Sequence, residues 1–381
     1  MKSKFKKMDK ILFFLMIAFT ILGLVMIFSA SSITAVLYNR LEEYYYFKKH
    51  LYIIIAAWSF GFFILSIPTH KYKFWGPVGM LGIIAALAFL FPYGKITNSA
   101  KSWYDLGFFS FQPSEFAKSV VIVYLAVCLD KISRKKDYSL NKVIVPFIFV
   151  LIVFGLTILQ PDLGTACIIG GVAFLIFMAL PFKNKKISNL KLTGVITLVL
   201  AVLAVVFGGN ILNAEQASRL TYKAPCTRYT EKTGYQVCNG FIAISNGGLF
   251  GRGLGNSTQK YLYLPEAYTD FIFPIIVEEL GALVSVVVIL CFVIMLYRIL
   301  KIARNASNLR GSIIAYGAFA LLLLHLLINL MGVLALIPLT GVPVPFLSYG
   351  GSFYINVIFI LFLTQRVQIE TEDEKRARAL A

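Results

Sequence analysis

Asp270 stands in Leu264-Pro265-Glu266-Ala267-Tyr268-Thr269-Asp270-Phe271-Ile272-Phe273-Pro274, where a polar loop gives way to an apolar run. Partial desolvation at such a boundary raises an aspartate toward neutral pH, where it accepts a hydroxyl proton better than a solvated carboxylate does. The same position also suits a plain helix N-cap. Upstream, Gln112-Pro113-Ser114-Glu115-Phe116-Ala117-Lys118 sets Glu115 and Lys118 three apart on one helix face, with proline suited to the first turn. The two make either a self-compensating ion pair or one charged wall of a polar cavity. Asp162, in Gln160-Pro161-Asp162-Leu163-Gly164-Thr165, reads as the cap of the run that follows or as a polar group aimed into that same cavity.

A glycine-dense stretch, Asn246-Gly247-Gly248-Leu249-Phe250-Gly251-Arg252-Gly253-Leu254-Gly255, precedes Gln259-Lys260. Glycine lets a backbone approach a ligand or take positive φ, and adjacent amides with Arg252 or Lys260 suit an anion such as phosphate. A flexible loop is the simpler alternative. Glu278 and Glu279 follow about two turns beyond Asp270 on the apolar run, so at least one should face inward and take a polar partner. His325 and Asn329, four apart, are candidates, although a lone histidine in an apolar run is more often a packing residue. Pro343-Val344-Pro345-Phe346-Leu347-Ser348-Tyr349-Gly350-Gly351-Ser352 is a turn-rich loop whose backbone can line the cavity, Ser348 included.

The elements that must hold these residues are membrane helices. The chain of 381 residues is 59% hydrophobic and 14% charged, with a mean hydropathy of +0.79. That composition excludes a soluble enzyme, a secreted disulfide scaffold and a disordered chain. The net charge of +18 lies in short segments between apolar runs and not on one face, so membrane orientation explains it better than nucleic acid does. Ten runs predict spans near Ile11 to Ser32, Leu51 to Ile67, Trp75 to Phe91, Pro113 to Leu129, Val143 to Leu159, Gly164 to Leu180, Leu192 to Leu212, Phe271 to Leu296, Ser312 to Leu336 and Gly351 to Thr364. About 24 Lys and Arg residues fall on one side against about 11 on the other, which makes the first side cytoplasmic. The expectation is an all-α integral membrane protein, a single domain over residues 1–381 with ten transmembrane helices and both termini cytoplasmic. The first run is too long for an ordinary signal peptide and is retained as a span.

Residues 1–10 form a cytoplasmic start, 365–381 a cytoplasmic tail, and 213–269 a large extracellular loop between helices 7 and 8. Long loops of this kind usually carry function. Cys128, Cys167 and Cys291 fall in apolar runs, whereas Cys226 and Cys238 share the long loop, where an oxidising exterior permits a bridge between them. No CxxC spacing or histidine cluster points to a metal there. No internal repeat is visible, so a symmetric transporter gains no support. Glu115, Lys118, Asp162, Lys260, Asp270 and the Ser348 loop all map to extracellular ends of spans, which points to an outward-facing polar site served from the bilayer and hence to an amphipathic or lipid-linked substrate.

Gln112 to Lys118, Gln160 to Thr165, Gly247 to Gly255, Leu264 to Gly281 and Ser348 to Ser352 together resemble, in order, the hallmark segments of the SEDS family of ten-span membrane proteins, the FtsW and RodA group. The likeness covers essentially the whole chain. It implies a peptidoglycan glycosyltransferase in the bacterial cytoplasmic membrane that polymerises lipid II, the polyprenyl-pyrophosphate disaccharide-pentapeptide, on the outer face. The implied partners are a class B penicillin-binding transpeptidase and other divisome or elongasome membrane proteins, with no nucleic acid. Carried onto this sequence, the family's essential aspartate is Asp270, the general base that takes the proton of an attacking sugar hydroxyl as polyprenyl pyrophosphate leaves with inversion. Glu115, Lys118, Asp162, Arg219, Arg252, Lys260, Glu266 and Ser348 become candidate substrate-binding residues. Lys118, Arg219, Arg252, Lys260 or a divalent cation (Mg or Mn) would offset the pyrophosphate charge. Tyr268 departs from the family, which commonly has histidine there, and the Cys226 and Cys238 pair is peculiar to this chain or its near relatives. The Gly23 to Ser32 and Tyr46 to His50 stretches favour the FtsW branch, with septal synthesis, over RodA-type elongation. A lipid II flippase is the main rival.

Overall fold

The computed structural model describes residues 2–380 apart from 98–99, 106, 108–109, 137, 183, 208–223 and 262. A short basic helix α1 (Lys2–Lys7) leads into α2 (Lys10–Ile33), whose cap Asp9 accepts from the Leu12 amide at 2.9 Å. Then come α3 (Tyr45–Ile64), α4 (Tyr72–Tyr93), a small sheet, α5 (Pro113–Arg134), α6 (Leu140–Leu159), α7 (Leu163–Ala179) and α8 (Lys185–Phe207). After the long connection, α9 (Lys232–Gly247) precedes α10 (Ile272–Asn305), α11 (Leu309–Val333) and α12 (Gly351–Leu380). Each of the ten predicted runs falls on one of these helices, though the expected end of the seventh at Leu212 lies outside the described residues.

Among the described residues, seven helices are long and apolar enough to cross a membrane, and their many exposed leucine, valine, isoleucine and phenylalanine side chains suit contact with lipid. Helix α5 is not among them, because Glu115, Lys118, Asp130, Lys131 and Arg134 make it too polar. It is nevertheless the most enclosed helix, packing against α4, α6, α7, α11 and α12 and burying residues all round its circumference. A helix so placed can carry ionisable groups, since they meet other helices instead of lipid.

One expectation needs correction. The chain is not all-α: β1 (Lys95–Thr97), β2 (Ala100–Asp105) and β3 (Ser110–Phe111) form an antiparallel sheet in the order β1-β2-β3. It is fastened to the bundle by Tyr104 Oη on Ala86 O (2.7 Å) and Ser102 Oγ on Gln160 O (3.2 Å). Helix α12 continues through residues 365–380 on pairs such as Arg366 with Glu370 and Lys375 with Glu372. Such pairs sustain a helix without apolarity, so a hydropathy reading stops short of it. The long connection holds the amphipathic α9, which packs on α10 and is joined to the turn Pro225–Arg228 by a Cys226–Cys238 disulfide with Cα atoms 4.9 Å apart.

The glycine-dense stretch splints a helix. Helix α10 breaks at Gly281 (φ 84°), and the stretch inserts its own backbone into the break. Arg252 N and Gly253 N donate to the carbonyls of Glu278 and Glu279, each at 2.9 Å, while Ala282 N and Leu283 N donate to Gly248 O and Leu249 O at 2.9 and 3.2 Å. Four backbone groups freed by the break are thereby satisfied. A Cβ on Gly251 would lie 2.3 Å from Glu279 O, and one on Gly281 would lie 2.4 Å from Leu249 O, so both positions must be glycine.

The two glutamates support the same junction. Glu278 accepts from Ser257 Oγ, from Thr258 Oγ1 (2.8 Å) and from Asn246 Nδ2 (3.1 Å); Glu279 accepts from Ser29 Oγ (2.7 Å) and Lys260 Nζ (3.0 Å). Both face inward, and their partners come from the 246–260 stretch and α2, not from His325 or Asn329.

Candidate active site

Five helices, α3, α5, α7, α10 and α12, direct their N-terminal ends toward one end of the bundle, where a cavity of about 710 Å³ opens among them and the small sheet. Its lining includes Lys49 from α3, Gln112, Glu115 and Lys118 from the start of α5, Asp162 and Thr165 from the start of α7, and Glu266, Thr269 and Asp270 ahead of α10. Trp103, Asp105 and Ser110 close one side from the sheet, and Gly341 to Pro343 with Tyr349 to Gly351 close the other.

Asp270 is 8% exposed and is not the cap of α10: that place belongs to Phe271, which makes no side-chain capping bond. Its backbone is held by Asn329, whose Nδ2 donates to Asp270 O and to Val342 O, each at 2.7 Å. The carboxylate lies 3.2 Å from Thr269 Oγ1 and is otherwise open to the cavity. Burial, with the nearby negative charge of Glu266 adding to it, pushes Asp270 up from 3.8 to about 7. Glu266 takes positive φ (56°), and its carboxylate lies 2.7 Å from Thr269 Oγ1, whose single proton goes to either Glu266 or Asp270.

On the opposite wall, Glu115 and Lys118 are 4% and 1% exposed and pair at 2.7 Å. His325 Nδ1 lies 3.2 Å from the Pro343 carbonyl, which can only accept, so Nδ1 carries the ring proton and Nε2 accepts from the Lys118 ammonium at 3.1 Å. The ammonium also sits 5.7 Å from the Phe353 ring centroid. One oxygen of Glu115, Oε2, is buried without a protein partner. Asp162 does both things its position allowed: Oδ1 caps α7 by accepting from Thr165 N at 3.2 Å, while Oδ2 accepts from Gln112 Nε2 (3.1 Å) and Ser114 Oγ (3.2 Å) at the cavity wall.

The structure thus brings Glu115, Lys118, Asp162, Glu266 and Asp270 together and leaves other candidates out. Lys260 is committed to Glu279 at 3.0 Å and Gly255 O at 2.6 Å, and Arg252 to Asn246 O and Thr258 Oγ1, each at 3.3 Å. Neither lines the cavity, which corrects the expectation that they meet the substrate; beside glycines, a basic residue serving an internal carboxylate looks the same in sequence as one serving an anion. Ser348 is fully buried and folds its own loop by accepting from Val344 N at 2.8 Å. That loop then docks through Tyr349 N on Tyr268 O at 2.9 Å, so Ser348 shapes the wall without touching the cavity. Arg219 lies outside the described residues. Lys49, Gln112, Trp103 and the role of Asn329 were missed. Only Lys49 carried a signal, as one of few basic residues at the other face, near an apolar run.

Comparison with known proteins is consistent along the full length. Residues 9–373 match the FtsW, RodA and SpoVE family, described as cell cycle proteins. A Bacillus subtilis protein named probable peptidoglycan glycosyltransferase FtsW is 34% identical over 100% of this chain and 96% of its own. Stage V sporulation protein E of the same organism is 33% identical, covering 92% of this chain and 94% of its own. Among solved structures, a chain of a peptidoglycan synthase complex described as coordinating polymerization and crosslinking shares the fold at a TM-score of 0.73 and 24% identity, over 96% of this chain and 98% of that one. Thermus thermophilus rod shape determining protein RodA superposes at 0.65 with 25% identity, over 95% and 96% of the two chains. With the family matched from near the first residue to near the last, this chain belongs to the FtsW, RodA and SpoVE cell cycle proteins.

Proposed function

We propose that the cavity polymerises lipid II with Asp270 as general base, in a single membrane domain of ten transmembrane helices with both termini cytoplasmic and the cavity facing outward. The chain is a peptidoglycan glycosyltransferase, and the names of its relatives put it on the FtsW side, with a role in septal wall synthesis. The observation that carries the assignment of the base is the Asp270 carboxylate at the cavity wall: buried, raised to about 7, and without an ion-pair partner among the described residues.

The step follows from that geometry. Asp270 takes the proton from the 4-hydroxyl of the acceptor N-acetylglucosamine as its oxygen bonds to the anomeric carbon of the donor N-acetylmuramic acid. The bond from that carbon to the pyrophosphate oxygen breaks on the opposite side, and polyprenyl pyrophosphate leaves with the electron pair, inverting the centre. Lys49 and Lys118 line the cavity and face the departing charge, helped by the helix N-termini gathered there. Because α7 is capped by Asp162 and α5 carries Glu115 in its first turn, the end of α12 at Gly350 and Gly351 is the better seat for an anion. A Mg or Mn ion shared with the substrate pyrophosphate would need only one or two of the cavity carboxylates, such as Asp270 and Glu266, and would help offset the leaving charge.

The fold shared with a synthase complex that couples polymerization to crosslinking supports a class B penicillin-binding transpeptidase as partner. A flippase reading is less well supported, because from Val120 to Leu129 the central helix carries no charged residue to continue the cavity toward its other end. Purified protein given lipid II decides between them. Glycan strands from wild type but not from Asp270→Ala support the polymerase, whereas lipid II scrambling without strands overturns it.

A further inference from the structure

At the end of the bundle opposite the active-site cavity, a second cavity of about 650 Å³ lies between α1 and the C-terminal end of α3. Met8, Phe62, Phe63, Leu65 and Phe5 make it apolar, and Lys4 and Lys6 stand over it. Apart from the two lysines and Ser66 its lining is apolar, which suits an acyl chain better than a water-soluble ligand.

The lysines are available and their support is fixed. Neither Lys4 nor Lys6 makes an ion pair with any described residue, although the next lysine, Lys7, pairs with Asp373 of α12. That bridge holds α1 at its C-terminal end, and just beyond it Asp9 is locked by Arg298 and by Gln365, whose Oε1 accepts from Asp9 N at 2.9 Å. Phe5 packs edge-on against Phe13 at 5.1 Å, and Phe13 packs in turn against Phe62 of the groove wall at 6.4 Å. The short helix is therefore clamped over the groove by α2, α10 and α12, and among the described residues Lys4 and Lys6 of its lining have no ion-pair partner. An occupant must bring an apolar chain and a negative head together.

We infer that this groove binds one anionic phospholipid, with an acyl chain along Phe62 and Phe63 and the headgroup phosphate on Lys4 and Lys6. Assignment to the inner leaflet rests on the proposed orientation of the chain; binding itself does not, and neither depends on the glycosyltransferase chemistry. Juxtamembrane lysines attract anionic headgroups even from solution, so the mark of a built site is saturable binding that requires these two residues and a chain.

The test uses the full-length protein in a neutral detergent. Dioleoylphosphatidylglycerol should raise its melting temperature saturably by about 3 °C, dioleoylphosphatidylcholine should not, and native mass spectrometry should retain one phosphatidylglycerol per protein. Lys4→Gln with Lys6→Gln, both on the rim, should weaken binding by about fivefold per lysine, while Lys135→Gln with Lys136→Gln, an exposed pair elsewhere, should leave it intact. Equal effects of the two lipids, loss of binding in the Lys135 and Lys136 variant, or full reproduction of the shift by inorganic phosphate each overturn the inference. Strand synthesis by the protein bears on none of these outcomes.

Discussion

Asp270 gains basicity at the expense of the fold. Its folded-state value, raised from 3.8 to about 7, means that the native protein binds a proton more tightly than the unfolded chain between those limits. Stability from this group is therefore present at low pH and declines as pH rises toward 7. Asp270→Asn should melt no lower than wild type at pH 6 and higher at pH 8, while losing about a hundredfold or more of its polymerisation rate, as thermal scans and lipid II turnover would measure. Polymerisation by wild type should climb with pH through about 7 as the carboxylate ionises. Glu266→Gln removes the neighbouring charge that helps hold Asp270 up, so the acid limb of that profile should move to lower pH. Lys118 carries the opposite lesson. Lys118→Met strands Glu115 as a buried unpaired carboxylate and should cost about 3 to 5 kcal/mol, with part of the loss recovered in Glu115→Gln with Lys118→Met.

Helix α10 is two helices joined by borrowed backbone. Gly281→Ala puts a methyl 2.4 Å from Leu249 O at a positive φ, and should destabilise the protein by roughly 2 kcal/mol or more, read as a lower melting temperature without a shift in the pH profile. This junction also marks how far a sequence reading reaches. The apolar runs announced the helices because hydropathy is a local property, and Glu115, Lys118, Asp162 and Asp270 stood out because charge is expensive there. The partner of a glycine stretch is not local, so Gly247 to Gly255 looked equally like a phosphate cradle and a splint for a broken helix. The 95–111 sheet and α9 escaped for the same reason: short polar elements owe their form to what they rest on. Lys49, Gln112 and Trp103 were hidden by neutrality or by position at an interface, where such residues have many uses.

For the whole molecule, the proposed orientation makes a direct prediction. Tyr263, exposed near the cavity end, and Lys136, exposed between α5 and α6, should lie on opposite sides of the membrane. In a background lacking Cys128, Cys167 and Cys291, Tyr263→Cys should react with an impermeant maleimide on intact cells and Lys136→Cys only after lysis; the reverse pattern would turn the cavity toward the cytosol. Bundling helices so that several N-termini meet at one cavity has a further result. A pyrophosphate seated at the start of α12 would feel main-chain amides as well as lysines, a source with no side chain to delete. Alanine scanning will under-count it.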